Sequence, residues 1–294
     1  MTRDNERTVL TAFVITASFM VVEVTGGLIS GSLALLADAG HMLVDSAALA
    51  LAYGAFRLGR RAADDKRTFG YLRLEIVAGL INAITLMLIA VWIIVEAWSR
   101  FQHPQEILVG PMLAVSIAGL VVNLLVLRLL TRGDSHHINL QGAILHVIGD
   151  ILGSLAAVTA ALVILLTGWT PIDTLLSLLV ATLILFSAAR LLARAVHVLL
   201  EGAPAHARPE AIARHLMQTV PGLAAVHHIH VWQITSGRTL ATLHVHPDDG
   251  SEARQVVEKV VYELKNHFEI EHPTVAIDWD ATHETSCSLI DSDS

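Results

Sequence analysis

Apolar runs of about twenty residues or more recur along the first two thirds of the chain, near 9–29, 33–56, 74–97, 108–130, 140–166 and 172–198, separated by short polar breaks. A helix rises 1.5 Å per residue, so about 20 apolar residues cross a hydrocarbon layer of ~30 Å. The pattern predicts six membrane-spanning helices. From about residue 203 the pattern becomes that of a water-soluble unit. ARPEAIARHLMQTV reads as an amphipathic helix with Pro209 near its first turn. VHHIHVWQI alternates as a strand does, TSG is a turn, and RTLATLHVHP is a second strand. SEARQVVEKVVYELKNHF is a helix with Glu252 in its N-terminal turn, where a carboxylate is favoured, and PTVAIDWD is a third strand. The expected fold is therefore a membrane all-α six-helix bundle plus a small cytoplasmic α+β domain in the order α-β-β-α-β. The expected boundaries are 1–202 for the spans, 203–280 for the cytoplasmic domain and 281–294 for a disordered polar tail.

Composition agrees with a polytopic membrane protein: of 294 residues 54% are hydrophobic and only 16% charged, with a mean hydropathy of +0.60. The net charge of -8 gathers its acidic residues in the last third, and no basic face suited to nucleic acid is present. The single cysteine, Cys287, excludes an internal disulfide framework and a Cys-rich zinc module. The start, MTRDNERTVL, does not read as a cleavable signal. Arg57, Arg60, Arg61, Lys66, Arg67 and Arg73 lie between spans two and three, Arg128 and Arg132 follow span four, and Arg190 and Arg194 close span six, whereas the opposite loops hold only Arg100. By the positive-inside rule both termini are cytoplasmic, with Trp98 and Trp169 at the outer ends of spans. The short termini and lack of a targeting segment point to a bacterial inner membrane.

Inside this apolar background His41 and Asp45 stand four residues apart, and His146 and Asp150 repeat the spacing a hundred residues later. Positions i and i+4 share a helix face. Ionisable groups in a span are costly and mark an ion or substrate pathway. Spans two and five run in opposite directions, so all four groups fall near the midplane, His41 level with Asp150 and Asp45 level with His146. Two imidazoles and two carboxylates suit tetrahedral zinc. Small residues nearby, among them Ala37, Gly40, Gly149 and Gly153, permit close helix approach. Asp38 either hydrogen-bonds a ligand or approaches the outer mouth. Glu23, Asn82 and Asn123 read as packing or water-access groups.

At these residues the chain resembles the cation diffusion facilitator family, the zinc-transporter type of metal/proton antiporters. The likeness rests on SLALLADAGHMLVD in span two, RTFGYLRLE entering span three, HVIGD in span five and HHIHVW opening the cytoplasmic domain. It implies a six-span homodimer with a metallochaperone-like cytoplasmic domain, exporting zinc or a related ion in exchange for protons. It also implies a cytoplasmic metal site: His227 and His244 match ligand positions, Asp280 matches a bridging carboxylate, and Asp278 stands where a histidine is expected. The last expected histidine falls near Gln255, which is no ligand, and His228, His230, His246, His272 or His283 could substitute. In the loop between spans two and three, Asp64 matches a third metal site of some members, but Arg67 and Tyr71 occupy the companion positions, so no stable site is expected there and Asp64 and Asp65 read as a solvated loop. Arg73 and Glu201 match a charge pair of the family.

The expected function is a secondary transporter exporting a divalent metal, Zn2+ first, with Cd2+, Co2+ or Ni2+ as alternative substrates, protons as counter-ion and zinc as regulator at the cytoplasmic domain. The competing readings are a membrane-anchored metal sensor and a membrane metalloenzyme. The latter is disfavoured because no HExxH, nucleophile elbow or phosphate loop is present.

Overall fold

The computed structural model describes residues 3–44, 46, 63–103, 105–131, 138–235 and 237–279, with side chains described for these residues other than 3–10, 12–13 and 138–146. They fall into two compact units. The first gathers α1 (Arg3–Ser30), α2 (Leu33–Val44), most of α3 (Leu74–Gln102), α4 (Val109–Thr131), α5 (Ile138–Thr167) and most of α6 (Pro171–Leu199). Among these α3, α4, the 147–167 part of α5 and α6 are long and apolar enough to cross a membrane, and α1 and α2 carry the shorter apolar stretches Val14–Ser30 and Leu33–Val44. The expected tail at 281–294 and the second half of the second span lie outside the described residues.

Lipid tails are as apolar as leucine, so helices in a membrane gain little by hiding leucine from them, and close packing takes over. The burial pattern follows. On α3 the buried positions include Ala83, Leu86, Ala90, Ile93 and Ala97, and on α4 they are Met112, Ser116, Gly119, Asn123, Val126 and Leu130. Steps of three and four trace one helix face, and small residues fill much of it. Large apolar side chains point outward instead, among them Leu88, Val95, Leu125 and Leu183. Trp98 and Trp169 are also exposed, as interface anchors are.

The turn from α1 into α2 is held by charge. Gly31 takes a left-handed φ of +72°, which glycine adopts without steric cost. Ser32 then caps α2, its hydroxyl accepting from Leu35 N at 3.2 Å. Asp173, fully buried in the first turn of α6, accepts from the Ser32 hydroxyl at 2.6 Å, Leu33 N at 2.8 Å and Ala34 N at 3.3 Å. A carboxylate from another helix thus satisfies the orphan donors of α2 and meets the positive end of its dipole. Arg100 of α3 donates to the Gly31 carbonyl and pairs with Glu96 at 3.0 Å. The helix that carries His41 is therefore fixed at its start by α3 and α6.

The second unit contains residues 63–77, the last turns of α6 and the C-terminal part. There α7 (Pro209–Thr219) precedes β1 (Leu223–Thr235) and β2 (Arg238–Pro247), and α8 (Ala253–His267) leads to β3 (Ile270–Ile277). The sheet order is β1-β2-β3, antiparallel in the first pair and parallel in the second. A parallel pair needs a crossover, which α8 supplies. Ile212 and Leu216 of α7, and Val256, Val260 and Leu264 of α8, repeat every four residues and bury against Leu243 and Val245 of β2. Each fully buried aliphatic side chain contributes about 1.5–3 kcal/mol. Pro209 sits at the start of α7 as expected, and Glu252 takes the cap position of α8, its side chain bonded to Gln255 rather than to a backbone N–H.

Replacing Asp173 with alanine strands two backbone donors and a hydroxyl. The expected loss is about 2–3 kcal/mol, since hydrogen bonds to charged groups contribute roughly 1.5–3 kcal/mol. A lowered melting temperature of the detergent-purified variant, with Asp173→Asn falling between it and the parent, is the outcome to look for.

Candidate metal centres

In the bundle, Asp38 of α2 and Asp150 of α5 are buried and His41 is half-buried. Gly153 marks where α2 and α5 meet: a Cβ there would lie 3.0 Å from Asp38 Oδ1. Where two spans run in opposite directions, three residues along each from that contact reach His41 on one helix and Asp150 on the other. Four further residues reach Asp45 and His146. Asp45 lies outside the described residues, and of His146 only the helical backbone is described.

The surroundings are more polar than packing requires. Asn123 of α4 donates from Nδ2 to Ser154 Oγ at 3.2 Å. Glu23 of α1 is buried at Gly119, where an added Cβ would lie 2.9 Å from its Oε1 and 3.3 Å from Ser154 Oγ. Glu23 is within electrostatic reach of both Asp38 and Asp150. Glu23 Oε2, Asp38 Oδ2 and Asn123 Oδ1 have no hydrogen-bond partner among the described residues. Three carboxyls so enclosed favour a cation or protons among them. The sequence reading left Glu23 and Asn123 as packing or water-access groups. The missed signal was a glutamate in a spanning run, which is rarer than the asparagines it was grouped with. Asp38 is buried against α5, one turn from His41, and not at an outer mouth.

In the soluble unit, His227 and His244 are direct partners in the β1–β2 register. Asp278, just past β3, reaches both: its Oδ2 lies 2.6 Å from His227 Nε2, and its Oδ1 3.1 Å from His244 Nδ1. Its own N–H donates to Val245 O at 3.0 Å, and its carbonyl meets His246 Nδ1 at 2.8 Å. The hydrogen bond from His227, joined by that from His244, holds the Asp278 carboxyl below its ordinary range against the opposing effect of desolvation. Ligand atoms of His227, His228 and His244 all lie within 4.8 Å of one another. Asp280 lies outside the described residues.

Comparison with known proteins gives two matches that between them run almost end to end. The cation efflux transmembrane domain matches residues 9–200, and the cation efflux protein cytoplasmic domain matches residues 204–279. The chain belongs to the cation efflux family. It is 45% identical over 286 residues to the zinc transporter ZitB of Pectobacterium atrosepticum, covering 97% of this chain and 89% of that one. It is 44% identical to the zinc transporter ZitB of Escherichia coli, covering 97% and 91%. To the cadmium, cobalt and zinc/H(+)-K(+) antiporter of Bacillus subtilis it is 39% identical over 290 residues, covering 97% and 93%. A metal-efflux transporter in a bacterial inner membrane follows at that level of detail.

Two features of this cation efflux chain refine the sequence reading. Asp64 is exposed but is not merely a solvated loop residue. Its Oδ1 accepts from Lys66 N at 2.9 Å and Arg67 N at 2.7 Å, and its Oδ2 from the Tyr71 hydroxyl at 2.8 Å. Arg67 stacks 4.7 Å from the centre of the Tyr71 ring. These bonds, Tyr71's foremost, hold the Asp64 carboxyl below its ordinary range. The residues that replaced metal ligands have taken over the aspartate for a turn. Arg73 and Glu201 do pair, at 2.8 Å, with both side chains well exposed, so the pair contributes at most about 1 kcal/mol.

Glu263 of α8 gives a pH test. His215 and Lys259 bond to it and hold its carboxyl below the ordinary value. In the unfolded chain the same carboxyl takes up its proton near pH 4, so below about that pH the unfolded state binds more protons and stability falls with acid. The contribution is complete above the unfolded value and is lost as pH falls through the lower folded one. Glu263→Gln is expected to flatten the acid limb of the melting profile and leave melting near neutral pH little changed.

Proposed function

We propose that the chain exports Zn2+ from the cytoplasm in exchange for protons, through a site made of His41, Asp45, His146 and Asp150. The observation that carries this reading is the approach of α2 and α5 at Asp38 and Gly153, from which His41 and Asp150 are reached by equal steps. Two nitrogens and two carboxylate oxygens fit zinc's tetrahedral preference, while Cd2+, Co2+ and Ni2+ remain secondary substrates, since affinity order alone does not set selectivity. The relatives named as zinc transporters, and the one named for cadmium, cobalt and zinc, support that choice.

The exchange follows from ligand chemistry. Metal requires neutral imidazole and ionised carboxylate, so protons and metal compete for one set of atoms. Histidine changes charge near physiological pH, and a more acid exterior therefore displaces metal that the cytoplasm reloads. Alternating access around a midplane site is how secondary transporters turn that competition into flux. The antiporter name of the Bacillus subtilis relative supports the proton partner. Both termini lie in the cytoplasm of a bacterial inner membrane, as the loop arginines and lysines indicate. The protein works as a homodimer within the lipid bilayer. His227, His244, Asp278 and Asp280 belong to a second, cytoplasmic metal site whose occupancy raises transport. Neither an enzymatic role nor nucleic-acid binding is part of this reading.

Flux decides it. Zinc uptake into proteoliposomes is expected to follow an imposed pH gradient. Uptake should fall at least ~10-fold in His41→Ala and Asp150→Ala, whose ligand losses weaken a metal site by more than the 10–100-fold cost of a supporting group. Binding of zinc without flux in the parent would turn the reading toward a sensor, and mutant flux equal to the parent's would remove these residues from the site.

A further inference from the structure

β1 and β2 pair His227 with His244 and then His230 with Thr242, three steps on one strand against two on the other. One residue more on β1 is a β-bulge. Within it His228 adopts a left-handed φ of +51°, a conformation that non-glycine residues rarely hold without a compensating role. Successive side chains on a regular strand point to opposite faces. The bulge breaks that alternation and brings His227 and His228 together. Their ring centres are 5.0 Å apart, and they lie 5.7 Å and 5.1 Å from the His244 ring, so three imidazoles form a nearly equilateral group. His228 Nε2 is buried and has no hydrogen-bond partner among the described residues. A buried, unpartnered ring nitrogen on a strained backbone next to two other imidazoles is a ligand position held ready.

The geometry points to a mononuclear site for a tetrahedral divalent cation, zinc fitting best, built from His227, His228, His244 and the Asp278 carboxylate and complete within one protomer. This rests on the reading of the chain as a metal transporter with a cytoplasmic metal site, and changes what that site is made of. Zn–N bonds of 2.0–2.1 Å place ligand nitrogens about 3.3 Å apart in a tetrahedron. The three nitrogens already within 4.8 Å of one another need only side-chain adjustment to close. Asp278, bonded to His227 and His244, supplies the fourth donor. Four donors fill the shell, so Asp280 is not required and no second ion is bridged. A metal there links the β1 bulge, β2 and the end of β3.

The test uses the full-length protein carrying Asp150→Ala, which disables the membrane ligand set, with Zn2+ titrated against a chromophoric chelator and Co2+ as spectroscopic probe. One equivalent per protomer and a tetrahedral cobalt spectrum are expected. His228→Asn is the informative variant, because asparagine tolerates the left-handed conformation while lacking the imidazole. It should keep the melting temperature of the metal-free protein and lose affinity by at least about 10-fold, the lower end for perturbing a metal site. Asp280→Ala should bind within about 3-fold of its parent, well under 1.4 kcal/mol. Unchanged affinity in His228→Asn, or an equal loss in Asp280→Ala, overturns the proposal. Should Asp150→Ala fail to fold, the same variants in the unaltered background report the site as the cobalt signal that His228→Asn removes. Zinc flux by the otherwise unaltered protein is scored separately. A parent without flux sinks the transport reading while the affinity comparison still judges the site.

Discussion

An ionised carboxylate moved from water into surroundings as apolar as this helix bundle loses several kcal/mol of hydration, and Glu23, Asp38 and Asp150 are all buried there. Much of the bundle's local design answers that cost. Glycines at 119 and 153 let Glu23 and Asp38 lie against neighbouring helices where a methyl group would collide with them. Asn123 and Ser154 bond to each other beside the carboxyls. Packing through small residues provides the stability that hydrophobic burial cannot provide in lipid. A cation is the natural completion of such a group, and protons are its natural substitute.

Asp173 shows the opposite solution to the same cost. It is as deeply buried, yet three donors from the start of α2 converge on it. Its charge is used by the fold itself, and nothing is left over for a ligand. Glu23 and Asp38 retain oxygens without partners. Whether its lone pairs are consumed separates a structural carboxylate from a candidate functional one in this bundle, and composition alone gives no access to that distinction.

Much of the architecture was legible because period and length suffice for it. The apolar runs, the switch to alternation at VHHIHVWQI and the four-residue repeat of Val256, Val260 and Leu264 each name an element. The pairing of Arg73 with Glu201 and the clustering of His227, His244 and Asp278 were also within reach of the motifs. What escaped depends on backbone detail. An extra residue in β1 is set by the pairing of two strands, so the histidine pair in HHIHVW reads from sequence as one inward and one outward side chain. Asp64 likewise reads as a free acid until the turn brings Tyr71 back to it. Asp173 lies about 140 residues from the backbone it caps.

The two metal centres, taken one at a time, put similar donors into different solvents, and that difference sets how each answers to protons. In the bundle the carboxyls are shielded, so each unit of charge is expensive and metal must arrive as protons leave. In the soluble unit the Asp278 carboxyl is already held ionised by its histidine partners and remains partly open to water. Metal binding there displaces ring protons and barely disturbs the carboxylate. The first centre is built to exchange its cation and the second to hold one. A carrier needs the first property and a regulatory site the second, and the donor sets differ accordingly: carboxylates equal imidazoles in number in the membrane set, whereas imidazoles outnumber the carboxylate around Asp278.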